Sequence, residues 1–303
     1  YDLQLSLLKS PDQKYSYEDT LVNISASYAQ MAPAFQEIFL QTATSGSIDV
    51  YPNPEGGKRP GGYCQDMCAL NRPALIFMNY KGLIDDQRTL THEMGHAINF
   101  YLMGSNVDYL YCTGTEYEME IPSTFNEELF VDYALANYDR ETALAVLADS
   151  INDYVNYFTF QPMITEFEDA AHDLCRQKGN LSGRELNQLW TSLSRQYRTS
   201  LVDYYAEDNA QWTYVSHIYF TNNYYTFSYA LSKAITLSLF KMYKEDPQKF
   251  NGNYAAYLSA GSSMTPQEKL KKFFGIEIDR RLFEDAMDVI EKRVEQLEQL
   301  EGK

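Results

Sequence analysis

The 303 residues hold enough apolar side chains for one large core, and 42 acidic against 25 basic residues leave a net charge of −17. So acidic a surface repels phosphate backbones and anionic bilayers, so neither nucleic acid nor membrane is an expected partner; a neutral or cationic peptide is tolerated better. No apolar run approaches the roughly 20 residues of a membrane span, and no basic-plus-apolar leader opens the chain.

The chain begins at Tyr1, without Met, as a fragment or processed product would. Its four cysteines, Cys64, Cys68, Cys112 and Cys175, are too few for a disulfide framework. They are expected to be free thiols in a reducing, cytoplasmic compartment, with a Cys64–Cys68 pair or metal site as the lesser alternative.

Ser16 or Asp19 is placed to cap a first helix reaching about Thr44. Leu21, Ile24, Tyr28, Met31, Phe35, Ile38 and Phe39 recur in it at helical spacing and read as core. Residues 52–62 are rich in Gly and Pro and must be irregular. Within them Gly61 and Gly62 either let the backbone approach an extended peptide substrate or form a plain turn. A strand is predicted over 73–80, and a weaker one over 46–51 that could pair with it.

Lys81-Gly82 turns the chain, and Asp85 or Asp86 is placed to cap the helix that carries His92-Glu93-Met94-Gly95-His96. Helices are then predicted over 123–148, 149–178, 183–206, 213–245 and from about 278 to the end, with a loop at 261–265 before another helix cap. The expected fold class is mainly α, with a small β-sheet beside the His92–His96 helix, and there is no internal repeat.

Histidines four apart on a helix share one face, so the rings of His92 and His96 can converge on one metal ion. Neutral imidazoles suit Zn²⁺, and Glu93 beside them could take a proton from water at the metal. A catalytic zinc needs a third protein ligand, and Glu116, Glu118, Glu120, Glu127 and Glu128 are available. Glu120 opens Glu120-Ile-Pro-Ser-Thr-Phe-Asn-Glu127, whose two glutamates stand seven residues, or two helical turns, apart. One can bind metal while the other fixes a ligand histidine. Negative charge on a tetrahedral intermediate needs a second stabiliser, for which His217, Tyr219, Tyr224, Tyr225 and Tyr229 are candidates. With 26 tyrosines in the chain, that cluster could equally be ordinary packing. His172 lies outside any motif and reads as a surface or packing residue.

Six segments taken together resemble the catalytic half of oligoendopeptidase F, in the thimet oligopeptidase family of zinc peptidases. They are Gly57-Lys-Arg-Pro-Gly-Gly-Tyr-Cys64, Phe77-Met-Asn-Tyr80, Leu90-Thr-His-Glu-Met-Gly-His-Ala97, Glu120 to Glu127, Thr165-Glu-Phe-Glu168, and His217 to Ser232. The resemblance spans nearly the whole chain. It implies a zincin-like (gluzincin) catalytic domain over 1–303, without the helical lobe that precedes this region in the family. It also implies one Zn²⁺ per chain held by His92, His96 and Glu120, Glu93 as general base and Glu127 behind the ligands. His217 and Tyr229 match the family's oxyanion-stabilising residues best. The choice between Tyr224 and Tyr225 stays open, and Phe227 falls where some relatives have tyrosine.

The expected activity is endoproteolysis of short, unfolded oligopeptides. An exopeptidase of the same group is the first alternative, with Arg59 available to hold a free terminus. A non-catalytic peptide-binding metal domain is the second, and Glu93 speaks against it, since a structural site has no use for a base.

Overall fold

Pro33 divides the segment whose apolar spacing suggests one long first helix. A computed structural model, which describes residues 12–70, 72–198, 205–220 and 224–302, has α1 (Tyr17–Ser27) and α2 (Pro33–Thr44) there instead. Proline has no N–H for the preceding turn but is accepted at a helix's first position, so the chain bends over 28–32 and restarts at Pro33. The Ser16 hydroxyl accepts the Asp19 N–H at 3.0 Å, which makes Ser16 the cap. Ile24, Tyr28, Met31, Phe35, Ile38 and Phe39 are buried, as their spacing implies.

The sheet has three short strands, β1 (Ile48–Asp49), β2 (Tyr63–Gln65) and β3 (Leu75–Phe77), in the order β1-β3-β2. The two predicted strands pair in parallel, with Ile48 opposite Ile76. The unforeseen β2 runs antiparallel to β3, with Cys64 opposite Ile76. Three residues give too short an alternation to stand out after a Gly- and Pro-rich stretch. The sheet packs on α3 (Ile84–Asn106). Asp86, three residues inside that helix, accepts the N–H groups of Lys81 and Leu83 at 2.7 and 2.8 Å and so closes its start.

The rest is helical: α4 (Glu116–Met119), α5 (Ile121–Asn137), α6 (Arg140–Val155), α7 (Gln161–Lys178), α8 (Gly183–Tyr197), α9 (His217–Phe220), α10 (Phe227–Glu245), α11 (Pro247–Ser259), α12 (Pro266–Phe274) and α13 (Arg280–Glu301). The helix expected over 123–148 is two, because Asp139 accepts the Thr142 N–H at 3.0 Å and starts α6 anew. The one expected over 149–178 runs from α6 through a π-helical turn, Asn156–Phe160, into α7. That expected over 183–206 ends at Tyr197; residues 199–204 lie outside the described residues. The stretch 213–245 holds the end of a 3₁₀ run (Ala206–Tyr214), α9 and α10. The whole of α11 went unforeseen, although Asp246 caps it by accepting the Lys249 N–H at 3.1 Å and Pro247 fills its first position.

The chain divides into two compact units, one of residues 1–151 and 232–303, the other of 152–231. In the first, α3 lies along α5, and Phe125 of α5 stacks on Phe250 and packs against Phe240, Tyr243 and Tyr254 of α10 and α11. In the second, Met163, Ile164 and Phe167 of α7 bury against Trp190 and Leu193 of α8. Among the described residues no helix is long and apolar enough to cross a membrane.

The expectation of four free thiols is wrong. Cys68 and Cys112, 44 residues apart, form a disulfide beside the C-terminal part of α3, where their Cα atoms stand 6.4 Å apart; Cys64 and Cys175 are free. Spacing alone gave no sign of this, because α3 is what brings the two together. Thiol labelling of unfolded, unreduced protein should therefore count two cysteines per chain, and four after reduction; four without reductant would overturn the pairing.

Candidate metal centre

Close packing of α3 on α5 starts from Gly95. A Cβ at that position would lie 2.6 Å from the Ser123 Cα, a separation real Cβ atoms do not adopt. Only glycine lets the helix bearing both histidines approach the helix start bearing both glutamates. Gly95→Ala is expected to cost roughly 1–3 kcal/mol or more in stability and to weaken metal retention, read by urea unfolding and metal analysis. Unchanged values for both would show that the approach is not needed.

His92 Nε2 and His96 Nε2 are 3.3 Å apart, and Glu120 Oε2 stands 3.4 and 3.6 Å from them. These three donors all lie within 4.8 Å of one another and could hold a metal ion. Three ligands about 2.05 Å from a tetrahedral ion would be about 3.3 Å apart, so the spacing fits. The back of each ring is also held. His92 Nδ1 faces Glu127 Oε1 at 2.7 Å, and His96 bonds to the Met119 backbone. Such partners fix which nitrogen carries the proton and leave Nε2 free to coordinate.

Glu120 sits at the junction of α4 and α5, where Pro122 follows at the second helical position. Its Oε2 also accepts the Ser123 hydroxyl at 3.0 Å. One residue before Met119, Glu118 Oε2 accepts the Thr115 N–H and hydroxyl at 3.0 and 2.8 Å, while Oε1 meets the buried Lys269 ammonium at 2.6 Å. The turn that delivers Glu120 is thereby tied at both ends.

Electrostatics follow from burial and this crowding. Burial pushes Glu93 up to about 7, with the His92 charge opposing and Glu120 and Glu127 adding. For Glu120 and Glu127 burial acts upward but is outweighed. Hydrogen bonds and charges from His92, His96 and Ser123 hold Glu120 at about 2. Lys233, His92 and Arg88 do the same for Glu127. In His92 burial disfavours the cation, yet the two glutamates win and lift it to about 10; in His96 burial wins and lowers it to about 4. The metal-free cluster thus keeps one proton on His92.

Glu93 is buried, and the missing side chain of Gly62 leaves room beside it: a Cβ there would meet Glu93 Oε1 at 3.4 Å and Thr89 at 2.9 Å. Gly61 is needed for a different reason, its φ of +105°. Asn79 Nδ2 donates to the Arg59 and Gly61 carbonyls at 2.8 and 2.7 Å and pins this loop to the end of β3.

The second unit gathers three of the aromatic candidates. His217 Nε2 and the Tyr229 hydroxyl are 3.1 Å apart, the Tyr225 ring stacks on His217 at 5.4 Å, and Tyr225 and Tyr229 meet edge to face. Tyr224 is excluded from the group. It has a φ of +63°, donates its N–H to the buried Glu168 at 3.3 Å and turns its ring towards His172. Tyr219 lies against Trp212, and His172 is exposed. Sequence reasoning missed Lys233, Asn79 and Lys269. For Asn79 the signal was present, since it lies in a segment on which the resemblance rests; a lone lysine in a helix gives none.

The sequence model of Peptidase family M3 matches residues 11–289. Oligopeptidase PepF of Bacillus subtilis (strain 168) is 26% identical over 302 residues, covering 99% of this chain and 44% of its own length. Oligoendopeptidase F, chromosomal, of Lactococcus lactis subsp. cremoris is 27% identical over 302 residues, covering 99% and 49%. The chain thus spans about half the length of these relatives. The solved structure of PZ peptidase A superposes with a TM-score of 0.77 at 21% identity, covering 95% of this chain and 50% of that one, a likeness of fold.

Proposed function

The chain belongs to peptidase family M3, and from that premise we propose that it is the zinc-dependent catalytic part of an endopeptidase acting on short, unfolded oligopeptides. The observation that carries this reading is the convergence of His92 Nε2, His96 Nε2 and Glu120 Oε2 beside the buried Glu93 carboxylate. Three donors leave a tetrahedral ion one open position, and a base stands beside the ligands; a structural site would close its shell and need no base.

His92, His96 and Glu120 would hold the zinc. Bound there, it acidifies water and polarises a peptide carbonyl. Glu93 receives the proton of the attacking water on a carboxylate oxygen and returns it to the departing amine. Burial favours protonation of Glu93, which strengthens it as a base, while positive charge beside it, as from His92, acts the other way and favours release. Glu127 keeps His92 in the tautomer that presents Nε2.

We assign His217 and Tyr229 to hydrogen-bonding the developing oxyanion. Their mutual contact and the stacked Tyr225 favour Tyr225 over Tyr224 as the third member. Gly61 and Gly62, next to the edge strand β2, are assigned to the backbone of an extended substrate.

Hydrolysis of an internally quenched peptide blocked at both ends, with the zinc content of the same sample, tests the proposal. Cleavage at an internal bond with about one zinc per chain is expected. Cleavage only of peptides with a free terminus would instead favour an exopeptidase, and binding without cleavage a non-catalytic domain.

A further inference from the structure

Lys233 lies on α10 with 1% of its surface exposed, between the buried Ser232 and Ala234. Its ammonium stands 3.0 Å from Glu128 Oε1 and 3.4 Å from Glu127 Oε2. The other oxygen of Glu127 faces His92 Nδ1 at 2.7 Å. The fully buried Glu128 turns its other oxygen to Arg293 of α13 at 3.1 Å. Arg293 also meets Asp132 at 2.7 Å, and Asp132 meets the exposed Lys244 at 2.6 Å. Three carboxylates and three cations therefore alternate from the back of His92 to the surface.

An ammonium removed from water is retained only where it is paired, so Lys233 has a structural use in any case: it keeps two consecutive carboxylates from lying unneutralised in the core. Its place in the series suggests more. It is the cation shared by the carboxylate that orients His92 and by that carboxylate's chain neighbour. The other positive groups acting on Glu127 are His92 itself and Arg88. Without Lys233, Glu127 Oε2 would lose the ammonium 3.4 Å away, and the carboxylate would be held less firmly against the ring. A lysine serves this better than an arginine, because a compact point charge reaches two carboxylates without the directional demands of a guanidinium.

We propose that Lys233 is a positioning residue that holds Glu127 against His92 and thereby sets the affinity of the metal centre. This rests on the zinc reading of that centre. Loss of a partner behind a ligand histidine typically weakens metal binding by roughly 10- to 100-fold, and Lys233→Met is expected to fall in that range.

The test is a double-mutant cycle on zinc affinity, measured by competition with a chromophoric chelator for the wild type, Lys233→Met, Glu127→Gln and the double variant. If Lys233 acts through Glu127, removing it in the Glu127→Gln background changes affinity by no more than about threefold. The visible bands of Co²⁺-loaded Lys233→Met should also shift as the His92 ring turns. Should Lys233→Met fail to fold, as judged by circular dichroism, Lys233→Gln supplies a neutral polar replacement for the same cycle. An equal loss in both backgrounds, or no loss in either, would overturn the inference while leaving the zinc site standing. A wild-type chain that binds no zinc would overturn both.

Discussion

Replacing Glu93 by Gln is expected to lower kcat for peptide cleavage by roughly 10²- to 10⁴-fold while the protein still binds zinc. Glutamine has the same shape and still hydrogen-bonds, but it cannot accept the proton of the attacking water. The substitution should spare the metal because Glu93 is not among the converging donors: those are His92, His96 and Glu120. It should spare the fold as well, since it replaces a buried carboxylate that already resists ionisation up to about 7. KM is expected to change little, because the base acts on water rather than on the ground-state peptide. Steady-state kinetics with metal analysis on the same preparation reads both quantities. Full activity in the variant would remove Glu93 from the chemistry and with it the proposed mechanism.

Chelation should abolish cleavage, zinc should restore it, and the affinity for zinc should rise with pH. The sign follows from His92, whose metal-free form is held protonated up to about 10 by Glu120 and Glu127 against the effect of burial. A protonated ring cannot coordinate, so zinc must displace that proton. His96 is already neutral above about 4, and Glu120 is ionised above about 2, so neither adds a proton near neutrality. Between about pH 7 and pH 10 at least one proton is released per zinc, and affinity increases about tenfold or more per pH unit. Nearer 7 and below, Glu93 still holds part of a proton that the incoming charge expels, so the dependence steepens. Calorimetry in buffers of different ionisation enthalpy counts the protons directly. A count of zero at pH 8 would show that His92 is not the protonated ligand.

The His92–His96 spacing was legible because a metal motif on a helix needs only local geometry; spacing also paired Glu120, which opens α5, with Glu127 two turns on, while their separate roles came from the family resemblance. The mainly helical class and the β1–β3 pairing were readable too, since apolar periodicity reports burial. What could not be read depends on contacts between distant segments. Cys112 reaches Cys68 only because α3 returns the chain to it. Lys233 looks like any lysine among small residues until α10 is laid against α5. The distinction between Tyr224 and Tyr225 lies in one backbone angle, the positive φ of Tyr224 that turns consecutive side chains apart. The break between α1 and α2 is hidden for another reason: the apolar repeat continues across Pro33, and only the missing N–H marks the new start.

The unit that holds the converging donors is built from two stretches of chain, one before and one after the second unit in sequence. All the converging donors belong to the earlier stretch, whereas Lys233, Arg293 and Lys269, which brace the carboxylates around them, belong to the later one. During synthesis the histidines emerge well before α10, α12 and α13 exist. A nascent or truncated chain therefore carries the ligands without their supports. The centre is expected to reach its full affinity for metal only once α10, α12 and α13 have left the ribosome.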